Sequence, residues 1–198
     1  MTLQRRYRLE ANGQIYDETH QCVVSSGTIN EQDIEVPHLH PHVVTLDIST
    51  KEKIDQVKAR VFYSYHCWSR KLDSGQPGEI QIQDDGGRPR IIDLPRLQQS
   101  QSLRKMIENL GDIKIYVTKS ERNYGCYRAK QSDWTQAYTA DFTIKPERRK
   151  FDNIRCQFSL RVESAYTRGQ PEKGGSKTSL RPVIAKAREG KVVKYRKP

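Results

Sequence analysis

The chain has 198 residues, a formal net charge of +11, 34% hydrophobic and 30% charged residues, and a mean hydropathy of −0.87. That length supports one sizeable domain, with an economical core beneath a heavily charged surface. No apolar run approaches the roughly 18–20 residues that span a bilayer, and "MTLQRRYRLEANGQ" lacks the apolar stretch of a secretory signal, so the expectation is a cytoplasmic protein with no membrane partner.

Residues 1–36 are polar with scattered apolar pairs, and loose strands and turns are expected there. "VPHLHPH" then enters "VVTLDIS", a strand over 43–48. "KEKIDQVKARVFYSYHC" alternates clearly, Val57, Ala59, Val61, Tyr63, Tyr65 and Cys67 opposing Lys58, Arg60, Phe62, Ser64, His66 and Trp68. A turn-rich stretch holds short extended pieces at 79–83 and 89–93. In "LPRLQQSQSLRKMIENLG", Leu103, Met106, Ile107 and Leu110 recur at helical spacing, with Gly111 as the stop. "DIKIYVT" reads as a strand, "CYRAK" follows a turn, and "WTQAYTADFTI" and "IRCQFSLRVESAY" are long alternating segments. In the second, Ile154, Cys156, Phe158, Leu160, Val162 and Ser164 share one face.

These patterns predict an α+β fold: a mainly antiparallel sheet with one central helix and a basic C-terminal extension. Residues 1–166 form a single domain on this reading, and 167–198 a basic linker and tail. Within that tail "SLRPVIAKAREG" can form a short helix between Ser179 and Gly190. The four cysteines Cys22, Cys67, Cys126 and Cys156 stand singly, with no C-x-x-C pair. Reduced thiols packed as small apolar groups are expected, and the spacing lends a zinc site no support.

Charge is concentrated at the C-terminal end. From Thr167 onward ten Lys/Arg face only Glu172 and Glu189, which is +8 of the total +11. Such a segment suits phosphate backbones, because each neutralised phosphate releases condensed counterions. The candidate phosphate contacts are Arg168, Lys173, Lys177, Arg181, Lys186, Arg188, Lys191, Lys194, Arg196 and Lys197, with Arg70, and with Trp68 to stack on a base. The plain alternative is a solvated, solubilising end, and a third use is docking on an acidic protein partner.

"FYSYHCWSR" draws attention because a histidine, a cysteine, a tryptophan and an arginine fall within nine positions. On a strand His66 and Cys67 project to opposite faces, so they cannot act on one another as base and nucleophile. Paired instead with the outward face of "RVESAY", His66 completes a set suited to metal-independent RNA cleavage. Glu163 would be the base, His66 the acid and Arg161 the cation for the developing phosphorane charge. An exposed charge pair on a sheet explains Arg161 and Glu163 equally well. In "PHLHPH", His38, His40 and His42 at alternating positions form a weak metal candidate with no acidic or cysteine ligand inside the stretch. "DDGG" lacks the lysine and helix of a P-loop, and G-x-G-x-x-G, G-x-S-x-G and H-E-x-x-H do not occur. No cofactor is expected, and whether the chain is an enzyme stays open.

"HCWSR" at 66–70 and "LRVESAYTR" at 160–168, followed by a basic segment, resemble uncharacterised bacterial proteins of prophages and other mobile elements. Those share a His-Cys-aromatic-Ser/Thr-Arg stretch and a Val-Glu-Ser-Ala-Tyr stretch. The resemblance covers roughly residues 55–195 and implies a bacterial accessory gene concerned with phage or plasmid conflict. It implies no catalytic residues. The leading expectation is a nucleic-acid-associated accessory protein, with the ribonuclease and the protein-interaction adaptor as alternatives.

Overall fold

The computed structural model describes residues 7–22, 29–72, 81–84, 86–118, 126–132, 137–168 and 176–194. The N-terminal segments carry four short strands, β1 (Tyr7–Leu9), β2 (Ile15–Tyr16), β3 (Ile29–Asn30) and β4 (Ile34–Glu35). Short as they are, they are not peripheral. Leu9, Ile15, Ile29, Ile34 and Val36 are buried in the common core, and β1 joins β2 antiparallel and β4 parallel.

Next come β5 (His42–Asp47), β6 (Gln56–Tyr63), β7 (Ser69–Lys71), β8 (Gln81–Gln83) and β9 (Pro89–Ile92), then helices α1 (Leu94–Ser100) and α2 (Leu103–Glu108). A meander follows of β10 (Lys114–Thr118), β11 (Cys126–Ser132) and β12 (Ala137–Pro146). A small hairpin of β13 (Lys150–Phe151) and β14 (Ile154–Arg155) leads to β15 (Phe158–Arg168), and the described chain closes with β16 (Lys177–Thr178) and α3 (Leu180–Arg188).

The main sheet has seven strands in the order β16-β10-β11-β12-β15-β6-β5, and β3-β8-β9-β7 form a second sheet of four. Within the main sheet β15 and β6 run parallel while the other neighbours are antiparallel. The fold is therefore mixed α/β and rich in strands, and its sheets are mixed rather than purely antiparallel. The parallel step follows from connectivity. Parallel neighbours need a long crossover, and here β7, β8 and β9 of the second sheet, both central helices and the meander all lie between β6 and β15.

The predicted central helix is two helices. Asp93 caps α1 by accepting from the Arg96 backbone N–H at 3.1 Å, and α1 ends at Ser100 before α2 begins at Leu103. Gly111 lies beyond the α2 cap at Asn109, and a Cβ placed on it would sit 3.2 Å from the Asp47 carbonyl oxygen. Its role is close approach to the end of β5, not a helix stop.

Two local departures position the candidate sites. The strand predicted to run to Trp68 ends at Tyr63, and Ser64 begins a 3₁₀ turn over Tyr65–Cys67. On β15, Ser164 faces Asp141 and Val162 faces Phe142, so Glu163 is the extra residue of a β-bulge. The bulge moves the inward set from Val162 to Ala165, both fully buried, and Ser164, assigned inward by strict alternation, bonds the Asp141 carboxylate instead at 3.3 Å.

The C-terminal segment differs most from its expectation. β16 pairs with β10, joining Ile115 to Thr178 and Tyr116 to Lys177. On α3, Leu180, Val183, Ile184 and Ala187 are buried in the same cluster as Val57, Val61, Phe142, Leu160 and Val162. Their i, i+3, i+4, i+7 spacing is that of a core-facing helix stripe, so residues 177–188 are built into the domain rather than appended to it.

Candidate anion-binding sites

The turn after β6 arises from local hydrogen bonding. The Ser64 hydroxyl accepts from the His66 N–H at 3.3 Å, and the Cys67 and Trp68 N–H groups return to the carbonyls of Ser64 and Tyr65, each at 3.0 Å. Cys67 points inward, fully buried, its sulfur 4.0 Å from the Val162 carbonyl oxygen. Burial pushes that thiol well above its ordinary pKa. Trp68 is 4% exposed, so its ring packs in the core and presents no face for a base.

His66 faces the other way, into a group of arginines drawn from β9, α1 and the β8–β9 connection. Its ring lies 4.4 Å from that of Tyr65. Arg90, buried, donates through Nε to the Ser69 hydroxyl at 3.0 Å and through Nη2 to the Ser69 carbonyl at 3.1 Å, while its guanidinium lies over Tyr65 at 4.8 Å. Arg96 donates to that same carbonyl at 3.2 Å, pairs with Asp93 at 3.1 Å, and lies 4.6 Å over Tyr166. Arg88 pairs through Nε with Asp84 at 2.7 Å. The Asp84 carboxylate, almost wholly buried, also accepts from the backbone N–H groups of Gly86 and Arg88 at 2.9 and 3.0 Å. Burial and the charges of Arg90 and Arg96, with Arg88 adding and Asp84 opposing, lower the His66 pKa to about 4. The imidazole is uncharged at neutral pH.

The other two residues of the predicted catalytic set meet each other. Arg161 Nε lies 3.3 Å from Glu163, and the Thr143 hydroxyl donates to the second Glu163 oxygen at 3.2 Å. The charges of both residues act on the Cys67 thiol, whereas those acting on His66 are Arg90, Arg96, Asp84 and Arg88.

The three histidines of "PHLHPH" do not converge, because Pro37–Leu39 forms a 3₁₀ turn instead of an extended run. His38 Nε2 bonds the Ser100 hydroxyl at 2.7 Å, and His40 Nε2 bonds Glu35 at 2.9 Å. His42 is buried on β5, its Nδ1 3.3 Å from the His40 carbonyl and its ring stacked on Tyr63 at 5.8 Å. Among the described residues no group of three His, Cys, Asp or Glu side chains could hold a metal ion.

The basic residues of the C-terminal segment divide by partner. Arg188 makes a two-pronged pair with Asp55 at 3.0 and 2.9 Å. Lys186 and Lys191 both reach Glu189 at 3.1 Å. Lys177, Arg181 and Lys194 are exposed. Lys177, Lys186, Lys191 and Lys194 line one open groove of about 900 Å³ between β16, α3 and the chain after it, with Pro182 and Val193 contributing apolar surface. Arg70 is half-buried on β7, in register with Ile91, and Arg168 ends β15 opposite Ala137. Lys173, Arg196 and Lys197 lie outside the described residues.

Sequence reasoning did not single out Arg88, Arg90, Arg96 or Tyr166. "GGRPRII" carries the first two only as alternating cations, and nothing local says that α1 folds back to bring Arg96 beside them.

Compared with known proteins, the chain has no match among curated proteins or solved structures. The profile of the YjaZ family matches residues 23–188, a span that reaches the end of α3 and so includes the turn at His66, the Glu163 bulge and, of the groove lysines, Lys177 and Lys186 but not Lys191 and Lys194. The chain belongs to the YjaZ family.

Proposed function

We propose that this protein is a nucleic-acid-associated accessory protein that holds phosphate backbone in the lysine groove beside α3. The observation that carries this reading is the arrangement of Lys177, Lys186, Lys191 and Lys194 around one open groove on folded elements. Glu189 offsets part of the charge of Lys186 and Lys191, so Lys177 and Lys194 supply most of the local field. Fixed cations spend less conformational entropy on each phosphate than cations on a loose tail. The resemblance of "HCWSR" and "LRVESAYTR" to bacterial mobile-element proteins points to a setting of phage or plasmid conflict.

The test is the salt dependence of binding to a labelled generic DNA duplex and to a single-stranded RNA. Each lost phosphate contact lowers the slope of log affinity against log salt by about 0.9 on duplex DNA and about 0.7 on single strands. Lys177→Ala with Lys194→Ala should therefore flatten the duplex slope by about 2 and weaken binding. An unchanged slope assigns the phosphate contacts elsewhere. Capture of an acidic peptide by the groove, with no nucleic-acid binding, assigns it to a protein partner.

A further inference from the structure

We propose that the turn at His66 is a second anion site, built for a phosphate monoester, with Arg88 and Arg96 as its grips and the His66 imidazole as its third contact. It is separate from the lysine groove and does not rest on it. The geometry that carries it is the crowding of cations at one turn. Arg90 and Arg96 approach from different elements and donate to the same carbonyl, that of Ser69, at 3.1 and 3.2 Å. Like charges held this close repel, and an anion seated between them and His66 relieves that repulsion.

The carboxylates present orient the arginines without using them up. Asp84 takes Arg88 at Nε, and Asp93 takes Arg96 at Nε. A guanidinium has five N–H donors in a planar fork; Arg88 also hydrogen-bonds the Tyr65 side chain, and its further donors serve an oxyanion together with the Arg96 nitrogen not directed at Ser69. Arg88 is 74% exposed and Arg96 25% exposed at the side chain, so a ligand can reach both. Arg90 is anchored on Ser69 over the Tyr65 ring and contributes fixed charge from below.

A monoester suits this set better than a diester. It carries a charge of about −1.5 to −2 with three acceptor oxygens, enough to engage two guanidinium groups and draw a proton onto the imidazole. The groups facing His66 are Tyr65 on its own turn, Asp84 and Arg88 before β9, Arg90 on β9 and Arg96 on α1. A bound dianion reverses the net effect of that surround, and proton uptake at His66 accompanies binding.

The experiment is an NMR pH titration of the imidazoles of the full-length protein, alone and with inorganic phosphate, a nucleoside 5′-monophosphate, and a short oligonucleotide bearing either a 5′-phosphate or a 5′-hydroxyl. Phosphate should shift the His66 resonances and move their titration upward by at least one pH unit, leaving His40 in place. Arg88→Gln should weaken binding about tenfold, and His66→Gln should abolish the linked proton uptake, while Lys177→Ala with Lys194→Ala leaves both intact. Response to the 5′-phosphorylated oligonucleotide but not its 5′-hydroxyl counterpart places the monoester on a nucleic-acid end. Response to inorganic phosphate and the mononucleotide alone makes the ligand a free small phosphate. Equal response to the 5′-hydroxyl oligonucleotide, or no response to any probe at millimolar concentration, overturns the proposal.

Discussion

Ending the chain at Arg168 removes nine of the basic residues named as candidate phosphate contacts, and it should also unfold the protein. The deletion takes away β16, which covers the edge of β10, and it takes α3, whose Leu180 is 2% exposed, Val183 and Ile184 0%, and Ala187 3%. Burial of a Val, Leu or Ile side chain is worth about 1.5–3 kcal/mol, so the three large residues together contribute about 5–9 kcal/mol. The whole stability of a domain is about 5–15 kcal/mol. Urea unfolding followed by tryptophan fluorescence, with Trp68 as a buried reporter, should show no cooperative transition for the truncated chain. Ile184→Ala alone should cost about 2–5 kcal/mol. Lys177→Ala and Lys194→Ala, both exposed, should change stability by less than about 0.5 kcal/mol. A truncated chain that unfolds cooperatively within about 1 kcal/mol of the full length would refute the placement of α3 in the core. For the same reason only point changes in the groove can separate charge from folding.

Stability should fall on acidification. The unfolded His66 takes up its proton near pH 6.5 and the folded one near pH 4, so stability is complete above pH 6.5 and is lost progressively as pH falls toward 4. The loss at this partly accessible ring is about 2 kcal/mol. Burial of His38 and His42 acts in the same direction, and His66→Gln should flatten the dependence of the urea midpoint on pH. Glu147→Ala should cost about 3 kcal/mol with little sensitivity to salt, because it strands Arg60, whose side chain is 22% exposed and lies 4.3 Å over Phe62. A cost below about 0.5 kcal/mol would show the pair to be solvated. Cys67→Ser should cost about 1–3 kcal/mol, and in the native protein a maleimide should label exposed Cys22 rapidly while sparing Cys67 and Cys156.

β5, β6 and β15 were legible because each is buried mainly on one face, and Cys67 and Cys156 fall inward as the alternation predicts. β12 differs, since Thr139 and Thr143 are buried as well as Ala140, Phe142 and Ile144. The end of β6 was not legible. Tyr65 and Cys67 continue the alternation across a 3₁₀ turn, and only the Ser64 hydroxyl bond to the His66 N–H marks the change. The Glu163 bulge left one faint mark: Ser164 breaks the apolar alternation after Val162 and Ala165 resumes it one position late, where the register against β12 shifts at Asp141/Phe142. In α3 the apolar stripe was visible, but counting Lys and Arg across 167–198 obscured it. On α3 itself Arg181, Lys186 and Arg188 stand outside the buried stripe of Leu180, Val183, Ile184 and Ala187. The arginine group at His66 needed the strand order, because it joins residues 88, 90 and 96 to a turn more than twenty positions earlier.

Chemistry on RNA imposes a stricter requirement than binding, and the surroundings of His66 state it. The general-acid role needs a protonated imidazole as the leaving oxygen departs. Burial together with Arg90 and Arg96 opposes that protonation, holding the pKa at about 4, so at pH 7 only about one molecule in a thousand would carry the proton. Glu163, held between Arg161 and the Thr143 hydroxyl, is placed on the bulge and would need the substrate to span from it to the turn. If these residues cleave RNA, the rate limited by acid catalysis should fall about tenfold for each pH unit between 5 and 7. Glu163→Gln should then lower turnover while leaving RNA binding in place, and a chelator should change nothing. A rate that rises from pH 5 to 7 would assign proton donation to another group and leave His66 with the anion.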